Sequence, residues 1–271
     1  MSAPSQKLAL AAIFLTVIID AAGIGLVLPV MPDLFARSGQ AADGAAYGLF
    51  LSLYALMQFV CAPILGSLSD RIGRKPVLTV SLVGTALNYA VMAALPPLWI
   101  LFVARAIAGA TGANMSVAMA YVADVSRPDT RAQRFGQLSA AMGVGFILGP
   151  AAGGILREFG LAWPFIVAAL AAGLNLVLCL FVLPETRAEV REDAPDPFKG
   201  LREISVFKNI SGLLMCAFLY ALTGEVGGSV WVFFVHDRFH WAGMSVGLSL
   251  TFFGLFTRWF RPLSSVPPQN S

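Results

Sequence analysis

The sequence has 271 residues, of which 58% are hydrophobic and only 12% charged, with a net charge of +3. Ordinary globular domains carry about 25% charged residues, and a soluble core could not absorb this much apolar surface without leaving large sticky patches. The composition excludes a soluble enzyme and predicts an all-α polytopic membrane protein, because the apolar runs are continuous rather than of period two. Lipid bilayer is the expected surroundings, and so small a net charge points to no nucleic-acid partner.

A spanning helix needs about 20 mostly apolar residues. The first candidate covers 8–30; it is too long for a signal-peptide core and holds an acid, Asp20, in its middle. A second covers 46–66, with Tyr54 and Gln58 on one face. The stretch "GSLSDRIGRKP" (66–76) follows as a short charged hinge, whose Gly66 and Gly73 allow a tight turn and close helix approach. Beside them Asp70 can pair with Arg71, Arg74 and Lys75. The third span, 77–95, aligns Ser81, Thr85 and Asn88 on one face. Such stripes either line an aqueous cavity or serve as polar glue between helices. The fourth, 98–122, contains Arg105; the fifth, 136–157, contains Gly145, Gly149, Pro150, Gly153 and Gly154; the sixth covers 162–183. Those glycines let another helix pack closely, and Pro150 removes a backbone donor.

Residues 184–208, rich in charge and holding three prolines, read as a linker. They divide the chain into a six-helix bundle (1–183), a linker (184–210) and an incomplete second bundle (211–271) with a Pro/Ser-rich tail. The last part offers a span at 211–235, carrying Glu225, and a weaker one near 243–260. With the N-terminus inside, inner connections hold fourteen Lys and Arg residues and outer connections three. That asymmetry predicts a cytoplasmic N-terminus.

Asp20, Arg105 and Glu225 lie well within spans, where each costs roughly 2.5–3.5 kcal/mol at the bilayer centre. They are either ion pairs that hold helices together or a pathway of protonatable groups. The three cysteines sit in separate spans without metal-binding spacing and read as packing residues. His236 and His240 stand at i, i+4 but lack an adjoining third ligand, so no metal site is expected. No nucleophile, zinc-protease, P-loop or dinucleotide fingerprint occurs in a soluble segment.

The hinge order Gly-x-Leu-x-Asp-Arg-x-Gly-Arg-Lys-Pro resembles the signature loop of the major facilitator superfamily. "DAAGIGLVLPVMP" (20–32), "RAIAGATGA" (105–113) and "GVGFILGPAAGG" (143–154) are similar to further motifs of that family, the last to the Gly-Pro motif of its drug–proton antiporters. Residues 52–78 and 230–241 look more narrowly like tetracycline–proton antiporters. The resemblance implies two six-helix bundles that rock about a central site, here cut short after about eight helices. It implies that Asp20 serves transport, that Arg105 is linked to proton movement, and that Gly66, Asp70, Arg71, Gly73 and Arg74 form a conformational latch. Asn88 stands where such antiporters usually carry aspartate, and Glu225 where they often carry glutamine; Asn88, Tyr54, Gln58 and Thr85 become candidates for the substrate cavity.

The expected function is therefore proton-coupled drug efflux across a bacterial inner membrane, with tetracycline as the first candidate cargo and another drug as the second. A non-transporting fragment is the alternative, since a carrier with its site between two bundles needs both, and this chain alone is expected not to export tetracycline. No cofactor is expected; a drug travelling as a metal chelate would bring its ion as cargo. An incomplete second bundle also predicts self-association.

Overall fold

In the computed structural model, residues 3–37, 45–186 and, with interruptions, 211–259 are described. Among these residues every regular element is helical, and six helices are long and apolar enough to cross a membrane. The first begins as α1 (Ala3–Val27) and continues through a 3-10 turn (Leu28–Val30) into α2 (Met31–Arg37). This is longer than the 8–30 expected, because Pro29 enters at the first turn of the 3-10 segment, where a missing N–H costs nothing.

The second span is α3 (Ala45–Ile72), and the third is α4 (Arg74–Ala93). The expected eleven-residue hinge is thus reduced to one residue, Gly73, whose φ of 105° turns the chain between two helices. Gly66 makes no turn and no close approach; it lies mid-helix with open space where a Cβ would stand, a correction to its reading as a hinge glycine. At the start of α4, four N–H groups would have no helical partner. The Arg74 and Lys75 N–H groups donate to the two oxygens of Glu185 at 2.9 and 3.0 Å, and Pro76 has none to satisfy.

The fourth span breaks in the middle. α5 (Leu98–Thr111) and α6 (Asn114–Val125) meet at Gly112 and Ala113, whose dihedrals leave the helical region. The fifth span, α7 (Arg131–Arg157), and the sixth, α8 (Trp163–Val182), are unbroken. A last helix, α9 (Met244–Trp259), packs against α7. Its described part has 16 residues, against the roughly 20 that a crossing takes. The 211–235 span is only partly described.

Lipid gives little hydrophobic push between helices, so close packing must hold them together. The glycines of α7 do this against α1. A Cβ on Gly145 would stand 2.5 Å from Ile18 O, one on Gly149 2.5 Å from Ala22 O, and one on Gly153 would strike Leu26 O. In return, a Cβ on Gly25 would meet Pro150 Cδ at 2.7 Å. Gly247 of α9 comes against Pro150 O on the other side, with Gly154 beside it. Large apolar side chains such as Phe59, Leu170 and Phe181 point outward, as a lipid-facing surface requires. Inside, two apolar clusters form. One gathers Ile13, Leu78, Val117 and Tyr121 toward the Gly73 end; the other gathers Val30, Phe35, Phe50 and Phe165 toward the opposite end. Asp20 falls between them on α1.

Candidate functional site

Between the two clusters lies a cavity of about 110 Å³, lined among others by Asp20, Tyr54, Gln58, Gly112, Asn114 and Phe146. Three of the expected residues thus come together there: Asp20 from α1, and Tyr54 and Gln58 from α3. The broken span supplies Gly112 and Asn114, and α7 supplies Phe146. Backbone groups freed by a break inside a membrane must find partners; here the Gly112 N–H turns to Gly109 O at 3.1 Å and the Ala113 N–H to Thr111 O at 2.8 Å, and side chains of other helices add to these. Gln58 Nε2 donates to Gly112 O at 2.9 Å, and the Ala113 N–H donates to Ser81 Oγ at 3.3 Å. Asn114, the first residue of α6, donates from Nδ2 to Asp20 Oδ1 at 2.7 Å and to Thr85 Oγ1 at 3.3 Å. Thr85 Oγ1 in turn donates to Ser81 O at 3.0 Å. Thr85 therefore serves the break rather than the cavity wall.

Asn88, expected to face cargo, is not among the lining residues. It is 4% exposed, its Nδ2 lies 3.9 Å from Met92 Sδ, and its Oδ1 has no partner. Arg105 is not tied to Asp20 by an ion pair either. Its guanidinium lies over the rings of Tyr54, at 4.3 Å from the centroid, and Phe50, at 5.2 Å. A desolvated cation–π contact of this kind contributes about 2 kcal/mol, which offsets part of the cost of holding an arginine in a span. Its buried Nε has no hydrogen-bond partner. Among the described residues, no ion pair joins Arg105 to another helix, and its guanidinium sits on aromatic rings. Glu225, His236 and His240 lie outside the described residues. Among the described residues no group of three His, Cys, Asp or Glu side chains is placed to hold a metal.

At the Gly73 end, the expected latch residues gather around Arg74. Its guanidinium reaches Asp70 Oδ1 at 2.7 Å, Asp124 Oδ2 at 3.0 Å and Ser69 Oγ at 2.6 Å. Arg71 lies in the last turn of α3, two residues before Gly73. Asp124 and Glu185 were missed from the sequence, though each left a trace: an acid at the end of the fourth span, and the first charge after the sixth. Glu185 also explains why position 73 is glycine, since a Cβ there would stand 2.5 Å from its Oε2. Lys75 Nζ donates to Leu180 O at 2.7 Å and Tyr121 OH to Pro184 O at 3.0 Å, fixing the end of α8 onto the same corner. At the far end of the bundle, Arg157 Nε and Asp33 Oδ2 pair at 2.6 Å between α7 and α2.

The Major Facilitator Superfamily model matches residues 13–266. Over 255 residues the chain is 46% identical to the class C tetracycline resistance protein of Escherichia coli, covering 91% of this chain and 64% of that protein. Over 257 residues it is 41% identical to the class E protein of Escherichia coli, covering 92% of this chain and 63% of that one. The chain thus spans less than two thirds of the length of these relatives. In structure it is similar to the human organic anion transporter MFSD10 (TETRAN), with a TM-score of 0.74, 27% identity, and 92% of this chain and 70% of that one covered.

Proposed function

Because the chain belongs to the major facilitator superfamily, we propose that it forms the first bundle, the linker and part of the second bundle of a proton-coupled drug exporter. Tetracycline is the cargo most in keeping with its relatives, which are named for resistance to that drug. The proposed location is the bacterial inner membrane with the N-terminus cytoplasmic, in keeping with the charge asymmetry of the connections. The six-helix unit is 1–183 and the linker 184–210.

The observation that carries this reading is Asp20, a membrane-embedded acid at a cavity beside a broken helix. Ionisable groups are retained in spans at a cost and mark ion and proton pathways. Transporters of this broad type place their sites at interrupted helices near the midplane. Asp20 is the proposed proton carrier. Arg105, in its aromatic seat, sets the potential at the cavity, and the Arg74 cluster is the proposed latch against the second bundle.

The test joins this chain to the co-expressed second bundle of the class C relative in everted membrane vesicles. Tetracycline accumulation that collapses with an uncoupler, and that is lost in Asp20→Asn at unchanged protein level, is the expected result. Accumulation unaffected by Asp20→Asn would remove Asp20 from the proton path.

A further inference from the structure

We propose that Asn114 is a positioning residue that couples the charge on Asp20 to the geometry of the break in the fourth span; the inference rests on the reading of Asp20 as a proton carrier.

The argument starts from the bond lengths. At 2.7 Å, the bond from Asn114 Nδ2 to Asp20 is short for a neutral N–H···O contact and has the length of a charge-assisted one. The second hydrogen of the same amide goes to Thr85 Oγ1, whose proton goes to Ser81 O. The Ser81 hydroxyl accepts the Ala113 N–H. Asn114, the first residue of α6, thus ties the Asp20 carboxylate to the break directly and reaches α4 through Thr85; at Ser81 the hydrogen bonds part, since Thr85 holds its carbonyl while its hydroxyl accepts the Ala113 N–H. Asn114 is 8% exposed, and its Oδ1 is buried without a donor.

Protonation changes what Asp20 asks of this neighbour. An ionised carboxylate only accepts; a protonated one also donates. The amide now uses its donor end on Asp20 and leaves its acceptor end idle. A proton on Asp20 removes the negative charge that Nδ2 faces and creates an O–H for which Oδ1 is the adjacent spare acceptor. The amide turns over, its donation to Thr85 is lost, and the start of α6 loses that hold on α4. Other ionisable groups facing Asp20 do not offer this exchange. Tyr54 from α3 and Tyr89 from α4 interact with it only at a distance, and Arg105 is stacked on Tyr54. From α6 and α7 the neighbouring cavity residues Met115, Met142 and Phe146 are neutral; Asn175 of α8 donates to Thr16 O and has a spare Oδ1 of its own, but it is not among the residues lining the cavity and has no hydrogen bond to Asp20. Cargo in the cavity would touch Asp20, Asn114 and Gly112 together, so proton and cargo act on one joint.

The experiment uses the chain reconstituted in liposomes, with no transport required. Infrared titration follows the protonated carboxyl band that Asp20→Asn removes, and hydrogen exchange of residues 109–116 follows the break. The expected result is a several-fold change in exchange, beyond the intrinsic effect of pH, as Asp20 gains its proton. Asp20→Asn should hold the break in its protonated behaviour at all pH values. Asn114→Leu, of similar shape but without hydrogen bonds, should keep the Asp20 band yet uncouple the break from pH, with Asn114→Gln restoring part of the response. Should Asn114→Leu fail to insert, Thr85→Val removes the acceptor of the second bond of the same amide. A break that follows pH as in the wild type in Asn114→Leu or Thr85→Val overturns the proposal. If no carboxyl band titrates at all, the proton reading of Asp20 fails instead. Where no protonated band is seen, Asp20 stays ionised and identical exchange in wild type and Asp20→Asn would sink the coupling; where the band is constant, Asp20 stays protonated and identical exchange in wild type and Asn114→Leu would sink it.

Discussion

The Arg74 corner and the Asp20 joint are both built from charged and amide groups in an apolar bundle, yet they are finished differently. Around Arg74 each charge is answered. The guanidinium meets two carboxylates and a hydroxyl, and Glu185 closes the helix start beside it. Around Asp20 buried polar atoms remain unanswered, among them Asn114 Oδ1 and Arg105 Nε. A buried polar network gains rigidity only when satisfied, and unpaired members are costly. The corner is thus made to hold one geometry, while the joint keeps hydrogen-bonding capacity in reserve for a proton or a cargo.

The strongest way to break this contrast is Arg74→Ala. It would leave Asp70 and Asp124 without the cation between them; removing one partner of a buried ion pair costs about 3–5 kcal/mol, and the partial exposure of both acids places the expected loss near ~3 kcal/mol. Unfolding in mixed micelles reads it directly. A loss under ~1 kcal/mol would show the corner to be ornamental, no better than a surface ion pair.

Gly73→Ala comes next. It forces a side chain into a positive-φ turn and against Glu185, with an expected cost of ~2 kcal/mol from strain of that kind. Glu185→Ala relieves the clash while exposing two N–H groups, so the double variant should be less than additive, a coupling that a cycle of unfolding measurements reveals. Strict additivity would mean that the turn and the cap do not touch in the membrane.

The smallest stability effect is expected at the joint. Asp20→Asn removes the charge and, like protonation, supplies a donor that the spare Asn114 Oδ1 can accept, so a change within ~1 kcal/mol is expected, against the complete loss of uncoupler-sensitive transport in the joined two-bundle protein. A loss as large as that of Arg74→Ala would make Asp20 a structural residue and erase the distinction.

The sequence by itself determined the membrane class, the positions of the first six spans and the presence of ionisable residues within them. These are local properties: twenty apolar residues partition into lipid whatever their neighbours do. It also marked the glycine-rich face of the fifth span, because small residues at helical spacing have few other uses in a membrane. Tertiary structure alone decided who meets whom. Asn114 and Asp20 are 94 residues apart in sequence, and Glu185 and Arg74 are 111 apart. No periodicity within one helix specifies a partner on another. The break at Gly112 was hidden for a related reason. A glycine inside an apolar span is compatible with a continuous helix; the break is completed by Gln58 and Ser81, which come from other helices to take up Gly112 O and share the Ala113 N–H with Thr111 O.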